Sequence, residues 1–211
     1  MAGQTNTNVK RHLIDPAPRF RDQRNPVPAV FLDRDGVINE EVHYLADVAD
    51  LKLIARAGDA IHRLNAAGIP VIVVTNQSGV ARGYLDEDQL LVIHKALSTL
   101  LGDHNASVQG IYYSPYHPDG VGDYARQSDC RKPGAGMLHA AAQDFAISLR
   151  ESVLVGDRIN DIRAGHTAGT RTIMVKTGHG ARETTLPEAA EADFIADDLS
   201  AAVDHILSEM F

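Results

Sequence analysis

The sequence of 211 residues predicts an α/β fold with a doubly wound parallel sheet and only minimal cap loops. Short apolar runs of strand length alternate with segments of helical spacing, as in strands joined by crossover helices. One run, residues 71–74, is unbroken and β-branched, which is typical of a strand covered on both faces. The predicted strands are residues 29–32, 71–74, 108–113, 152–155 and 172–175.

Residues 1–28 are predicted to form an N-terminal extension, and residues 29–211 a single domain whose core a chain of this length can fill. Prolines in the extension discourage a helix and favour an extended arm, and they occupy positions Pro16, Pro18, Pro26 and Pro28. Apolar residues that could anchor the arm on the domain are Leu13, Ile14 and Phe20.

Five helices are predicted between and after these strands. Asp86 followed by Gln89 is the signature of a capped helix start. Apolar residues at helical spacing indicate the others, at residues 57–67, 137–145, 161–169 and 199–206. Residues 39–52 and 114–130 show no usable period, so we expect a small flap and an inserted loop beside the site.

The composition restricts the class of partner. The formal charge of −8 argues against general nucleic-acid binding and against attraction to anionic lipid, although it permits a local basic pocket. No apolar run has transmembrane length, and no signal peptide is recognisable. Cys130 is the only cysteine, so the chain cannot form an internal disulfide. We therefore expect a cytoplasmic protein whose partner is a small molecule.

Polar side chains lie at the ends of the predicted strands or of the loops that follow them. Because the carboxyl ends of parallel strands meet at one edge of a sheet, we expect these side chains to lie together. They comprise acids for a cation, a hydroxyl and an amide that donate hydrogen bonds, and cations for an anion: Asp33 and Asp35, Thr75 and Asn76, Arg131 and Lys132, and Asp157 and Asp161. This inventory suits phosphoryl transfer. Taken alone, Asp33 and Asp35 could simply end a strand and cap a turn.

The order of these motifs resembles that of the haloacid dehalogenase superfamily phosphatases. The segments that carry the resemblance are DRDG at 33–36, VVTN at 73–76, the lysine at 132 and GDRINDI at 156–162. Within that superfamily, TNQSGVARG at 75–83, IYYSPYHP at 111–118 and DCRKPGAGM at 129–137 are similar to the family of heptose-bisphosphate and histidinol-phosphate phosphatases. The resemblance implies Mg²⁺-dependent hydrolysis of a phosphorylated sugar, foremost a D-glycero-D-manno-heptose 1,7-bisphosphate, with histidinol phosphate or another small phosphate ester as the alternative.

The resemblance also implies a role for each acid. Asp33 would be the nucleophile that forms an aspartyl-phosphate, and Asp35 would protonate the leaving oxygen and then activate water. Mg²⁺ would be held by Asp33, by Asp35 through its backbone carbonyl, and by Asp157, with Asp161 as a supporting acid.

The remaining site residues would bind the substrate. The resemblance implies that Thr75 and Lys132 hold the phosphoryl oxygens. Arg131, with its planar fork of donors, is expected to grip the other anionic end of the substrate, and Asn76 and Arg82 are further predicted substrate contacts.

The resemblance is incomplete in the 114–130 loop. The family often carries a zinc site there, and its Cys, His, Cys and Cys ligands would fall at Ser114, Tyr116, Ser128 and Cys130. A structural zinc site needs four nitrogen or sulfur ligands, and even with His117 this loop offers two. We predict that the loop binds no zinc and is held by packing.

Two non-enzymatic alternatives stay open at this point. A receiver domain also combines acids, a threonine and a lysine on a doubly wound sheet. Its acceptor aspartate, however, ends a middle strand of the chain, whereas Asp33 follows the first predicted strand here. A silent sugar-phosphate binding protein would need neither Asp33 nor Asp35. Metal-dependent turnover of a phosphate ester would separate the enzyme from both alternatives. The sequence makes no prediction of the oligomeric state.

Overall fold

The computed structural model describes residues 9–13 and 26–209. Their strands form one seven-stranded sheet with the order β1-β4-β3-β2-β5-β6-β7. All neighbouring strands are parallel except β1 and β4. The strands are β1 (Lys10–Leu13), β2 (Val30–Leu32), β3 (Val71–Asn76), β4 (Gly110–Ser114), β5 (Val153–Gly156), β6 (Arg171–Val175) and β7 (Phe194–Ala196). The predicted doubly wound sheet is confirmed.

The predicted helices are also present. The helices are α1 (Ala57–Ala66), α2 (Ser78–Ala81), α3 (Glu87–Gly102), α4 (Gly136–Phe145), α5 (Ile159–Ala168), α6 (Gly180–Glu183) and α7 (Leu199–Glu209). At the start of α3, the Asp86 carboxylate accepts from the Gln89 N–H and the Gln89 side chain accepts from the Asp86 N–H, both at 2.8 Å. The capping box predicted from the sequence is therefore confirmed.

Part of the N-terminal extension belongs to the sheet. β1 pairs antiparallel with β4, with Lys10 opposite Tyr113 and Leu13 opposite Gly110. Val9 is buried, whereas Leu13 stays 41% exposed and so anchors the arm only weakly. The other predicted anchors, Ile14 and Phe20, lie outside the described residues, as do Pro16 and Pro18.

The core lies on both faces of the central strands. On one face Phe31, Ile72 and Leu154 pack with apolar residues of α4 and α5. On the other face Leu32 and Val73 pack with α1, α3 and α7. Because successive residues of a strand point to opposite faces, this alternation buries β2, β3 and β5 completely and leaves only their carboxyl ends accessible. No helix among the described residues has both the length and the apolar character needed to cross a membrane.

The two segments in which the sequence shows no helical or strand period are loops with little regular structure. Residues 39–52 carry a 3₁₀ turn, Val48–Asp50, that the Asp47 side chain caps, and Asn39 bridges to Leu53. Residues 114–130 carry a single 3₁₀ turn, Gly122–Tyr124, and a bridge from His117 to Ala125. Both segments border the carboxyl edge of the sheet, as predicted.

Candidate active site

The carboxyl ends of the strands enclose a cavity of about 290 Å³. Asp33 follows β2, Thr75 and Asn76 end β3, and Lys132 and Asp161 approach from the loop before α4 and from the first turn of α5. The predicted site residues that line the cavity are Asp33, Asp35, Thr75, Asn76, Arg82, Arg131, Lys132 and Asp161. Asp157 is not among the lining residues, but one of its carboxylate oxygens lies within 4.8 Å of those of Asp33 and Asp161. The structure therefore brings all the predicted residues together.

Lys132 is buried between two of the acids. Its Nζ lies 2.9 Å from Asp33 Oδ1 and 2.5 Å from Asp161 Oδ1, and it donates to the Val74 carbonyl at 2.8 Å. Burial acts to lower the pKa of this ammonium, but the charges of Asp161 and Asp33 outweigh it, so the pKa lies above its ordinary value. Lys132 is thus a fixed positive charge at the floor of the cavity.

Asn76 positions the lysine. Its amide Nδ2 donates to the Lys132 carbonyl and its Oδ1 accepts from the Lys132 N–H, each at 3.0 Å. Both the nitrogen and the oxygen of the Asn76 amide are therefore hydrogen-bonded to the backbone of Lys132. This pair ties the lysine loop to the end of β3. The predicted contact of Asn76 with substrate stays a prediction.

The three clustered acids repel one another. Burial raises the pKa of Asp157 to about 9, and the charges of Asp33 and Asp161 add to the effect. Burial also raises the pKa of Asp33 to about 6, although the Lys132 charge opposes it. With one ammonium among three buried carboxylates, the group has a deficit of positive charge.

The donor set fits Mg²⁺. Asp157 Oδ2 accepts from the His179 N–H at 2.7 Å, while its Oδ1 is buried without a hydrogen-bond partner. Gly36 and Gly178, both with positive φ, close on this carboxylate so tightly that a Cβ at either position would overlap it. A fixed, unpartnered oxygen beside two further carboxylates is what a hard cation requires. The Asp35 carboxylate lies outside this group, and its predicted metal contact through the backbone carbonyl stays a prediction.

Asp35 is held by donors that the sequence analysis did not single out. Arg34 Nη2 donates to both of its oxygens at 2.8 Å, and Asn39 Nδ2 and Gln77 Nε2 donate at 2.9 and 2.8 Å. Burial acts to raise the pKa of Asp35, but the Arg34 charge and these hydrogen bonds lower it below its ordinary value. In this arrangement Asp35 is a carboxylate of fixed orientation. The signal in the sequence is the arginine between the two aspartates.

Thr75 completes the floor of the cavity. It is buried, and its Oγ1 accepts a hydrogen bond from Gln77 Nε2 at 2.9 Å. The same amide nitrogen donates to Asp35, so Gln77 links the hydroxyl to the second acid. With its acceptor capacity partly used by Gln77, the Thr75 hydroxyl can donate its proton toward the cavity.

Cations surround the mouth of the cavity. Arg82, Arg131 and Arg158 line it, beside the His117 ring, whose pKa burial and the charges of Arg131 and Arg82 lower. The sequence analysis missed Arg158, which lies within the GDRINDI motif. Burial lowers the pKa of Arg131, and the nearby charges of Arg82 and Arg158 lower it further. Arg82 also has a buried Nε without a hydrogen-bond partner. In a chain of net charge −8, this concentration of positive charge marks a place for an anion.

The positions of the 114–130 loop that the resemblance assigns to zinc ligands hold Ser114, Tyr116, Ser128 and Cys130. Ser114, Tyr116 and Ser128 are not zinc ligands of the usual kind, and Cys130 is buried with a pKa that burial raises to about 11. Within the described parts of the chain, the one close group of three or more His, Cys, Asp or Glu residues is the aspartate cluster.

The loop is attached to α3 through Glu87. Tyr124 of the loop donates from its Oη to Glu87 Oε1 at 2.7 Å, and Tyr113 of β4 donates to the other oxygen, Oε2, at 2.6 Å. The Arg126 guanidinium lies 4.1 Å from the centre of the Tyr116 ring. The hydrogen bond from Tyr124 thus joins the loop to α3, and the contact of Arg126 with Tyr116 joins two parts of the loop.

Comparisons with known proteins agree with this geometry. A family model described as HAD-hydrolase-like matches residues 129–202. The D-glycero-D-manno-heptose-1,7-bisphosphate 7-phosphatase of Thermosynechococcus vestitus is 43% identical, over 88% of this chain and 98% of its own length. The D-glycero-beta-D-manno-heptose-1,7-bisphosphate 7-phosphatase of Escherichia coli is 38% identical, over 82% of this chain and 91% of its own.

A solved structure shows the same fold. The D,D-heptose 1,7-bisphosphate phosphatase of B. bronchiseptica, crystallised with magnesium and phosphate, superposes with a TM-score of 0.78 at 31% identity. The alignment covers 87% of this chain and 99% of that one. An HAD-like phosphatase from Mesorhizobium loti superposes with a TM-score of 0.75 at 37% identity, and the alignment covers 82% of each chain.

Proposed function

Because the chain belongs to the HAD-like phosphatase family of the D-glycero-D-manno-heptose-1,7-bisphosphate 7-phosphatases, we propose that it removes the 7-phosphate of that bisphosphate. The observation that carries the proposal is a single cavity with two zones. Its buried floor holds Asp33, Asp161 and Lys132, and its more exposed mouth holds Arg82, Arg131 and Arg158. A substrate with a phosphate at each end matches both zones.

The floor supplies the chemistry. Asp33 Oδ attacks phosphorus, the bond from phosphorus to the sugar oxygen breaks, and Asp35 gives that oxygen its proton. Lys132 holds Asp33 in place and offsets the charge of the transferring group. Water then attacks the phosphorus of the aspartyl-phosphate, Asp35 takes the proton, and phosphate leaves.

The two steps need opposite protonation states of Asp35. Its bonds to Arg34, Asn39 and Gln77 favour the carboxylate, which suits removal of a proton from water in the second step. The first step requires that Asp35 first take up a proton. Mg²⁺ bound by Asp33 and Asp157, with Asp161 in support, would offset the repulsion between the nucleophile and the anionic phosphate.

The arginines at the mouth favour the bisphosphate over histidinol phosphate. Histidinol carries an ammonium group where the heptose bisphosphate carries its second phosphate. An ammonium placed near Arg82, Arg131 and Arg158 would be repelled, whereas a phosphate would accept hydrogen bonds from them. Catalytic turnover, rather than stable phosphorylation or simple binding, is the outcome expected of a site with both Asp33 and Asp35 in place.

The test is phosphate release with Mg²⁺ from D-glycero-D-manno-heptose 1,7-bisphosphate, the corresponding 7-phosphate and histidinol phosphate. We expect the bisphosphate to have the highest kcat/KM, with phosphorus NMR showing that the phosphate at position 1 is retained. Arg158→Gln should raise KM for the bisphosphate about tenfold and leave KM for the 7-phosphate unchanged, because only the former has a second anion to lose.

Arg63→Gln is the matched control, since Arg63 pairs with Asp204 on the surface and does not line the cavity. It should leave every constant unchanged. A preference for histidinol phosphate, or an equal effect of Arg158→Gln on both heptose substrates, would refute the assignment of the second phosphate to the mouth of the cavity.

The proposal includes the absence of a structural zinc ion. The hydrogen bond from Tyr124 to Glu87 supports this, because it attaches the 114–130 loop to α3 without a metal. Metal analysis of protein prepared in zinc-free buffer should find far less than one zinc per chain. One tightly bound zinc per chain would contradict this part of the proposal.

A further inference from the structure

A buried series of side-chain contacts leads from Asp35 to the N-terminal strand. Arg34, which donates to Asp35, is fully buried, and its Nη1 lies 3.2 Å from His94 Nε2. His94 is fully buried on α3, and its Nδ1 lies 2.9 Å from Nδ1 of His12 on β1. The path Asp35–Arg34–His94–His12 therefore joins the second catalytic acid to the edge of the sheet.

The chemistry of the donors gives this path one direction. A guanidinium only donates hydrogen bonds, so His94 Nε2 must accept from Arg34. His94 then carries its proton on Nδ1 and donates it to His12, whose own proton lies on Nε2. Burial lowers the pKa of His94 and the Arg34 charge lowers it further, and burial lowers the pKa of His12, which keeps both rings neutral as the path requires.

The surroundings hold both rings in place. The Tyr113 ring lies 4.9 Å from that of His12 and 5.7 Å from that of His94, centre to centre. Glu87 accepts from Tyr113 Oη and pairs with Lys10 on β1 at 3.1 Å. β1 is thus joined to α3 at Lys10 and at His12.

We propose that His94 is a positioning residue that orients Asp35 by accepting a hydrogen bond from Arg34, with His12 of the N-terminal strand completing the path. The inference rests on the proposed phosphatase function. Without the His94 acceptor, Arg34 Nη1 would be left buried without that partner, and the guanidinium would turn away to find another. Asp35 would then lose its fixed orientation, whereas Asp33 and Lys132 would be untouched.

The kinetic test compares three variants of α3. His94→Leu removes the acceptor, and His94→Gln keeps both an acceptor and a donor. Leu97→Ala is the control, because Leu97 is a buried residue of the same helix without polar groups. All are assayed at a temperature well below their Tm, with Mg²⁺ and the heptose bisphosphate.

We expect His94→Leu to lower kcat about 10- to 100-fold, because the acid is misplaced while binding of substrate is not. KM and the half-saturating Mg²⁺ concentration should stay within about twofold of the wild type. His94→Gln should recover most of kcat, and Leu97→Ala should lower Tm without lowering kcat. A His94→Leu enzyme whose kcat matches that of Leu97→Ala, or a His94→Gln enzyme no faster than His94→Leu, would overturn the proposal.

A measurement that does not depend on activity tests the path itself. Nitrogen NMR of histidine-labelled wild-type protein should show His94 protonated at Nδ1 and His12 at Nε2, both neutral at pH 7. Imidazolium signals or the opposite tautomers would refute the path. Wild-type protein that shows this signature but turns over no phosphate ester with Mg²⁺ would refute the proposed function instead.

Discussion

Replacing Asp157 by Asn should make the metal-free protein more stable and remove most of its stabilisation by Mg²⁺. The folded protein places this carboxylate, buried and with one oxygen unpartnered, beside Asp33 and Asp161. An asparagine has nearly the same shape, and its Oδ1 can still accept from the His179 N–H. The substitution therefore removes the ionisable group while keeping the hydrogen bond.

The size of the effect follows from the pKa of Asp157. Burial, together with the charges of Asp33 and Asp161, raises it from 3.8 to about 9. The folded pKa exceeds the unfolded one, so the free energy of unfolding falls as pH rises from about 4 to about 9. At pH 7 the folded protein keeps a proton that the unfolded chain has released, which costs about 4 kcal/mol. The asparagine avoids this cost, but the NH₂ of its amide is left buried without a hydrogen-bond partner. We therefore expect the free energy of unfolding to rise by about 1–3 kcal/mol in the variant.

Urea denaturation at pH 7, with EDTA or with Mg²⁺, measures both effects. Mg²⁺ at one hundred times its Kd should stabilise the wild type by about 2.7 kcal/mol and the variant by much less. Asp204→Asn, at an exposed ion pair, is the control and should change neither quantity. A variant less stable than the wild type in EDTA, or equally stabilised by Mg²⁺, would refute the account of the acid cluster.

Three further substitutions test other parts of the site. Lys132→Met should lower the free energy of unfolding by about 3–5 kcal/mol and abolish turnover, since it removes the cation between two buried acids. Urea denaturation and the measurement of kcat test the two effects, and an active variant would contradict the prediction. Glu87→Gln should speed limited proteolysis within residues 114–130, because the Tyr124 hydroxyl of this loop loses a charged acceptor. Unchanged cleavage would contradict the attachment of the loop through Glu87. Gly178→Ala should raise the half-saturating Mg²⁺ concentration about tenfold or more, since the added Cβ would overlap the Asp157 carboxylate. An unaltered Mg²⁺ titration would argue against the assignment of Asp157 as a Mg²⁺ ligand.

Most of the cavity floor could be predicted because one rule of α/β sheets governs it. Asp33, Thr75 and Asp157 each follow a strong apolar strand, and the carboxyl ends of such strands meet at one edge. Lys132 and Asp161 were placed at this edge from a loop end and a helix start, the motif resemblance implied their roles, and the structure brings both within hydrogen-bond distance of each other.

The residues that were missed depend on tertiary contacts that no local pattern encodes. β1 reads Lys-Arg-His-Leu, a polar segment of four residues that becomes a strand only because β4 offers an open edge. Gln77 and Asn39 serve Asp35 from two different loops, so their role appears only once the chain has folded. β7 has three residues, too few for a period of two to be recognised.

The phosphorylation state of Asp33 during turnover tests the central claim most directly. The protein would be mixed with Mg²⁺ and D-glycero-D-manno-heptose 1,7-bisphosphate, quenched in acid within one turnover, and digested for peptide mass spectrometry. We predict that the peptide containing Asp33 gains the mass of one phosphoryl group, and that Asp33→Asn shows neither this peptide nor phosphate release. Phosphate release by the wild type without a phosphorylated peptide, or by Asp33→Asn at the wild-type rate, would contradict the account.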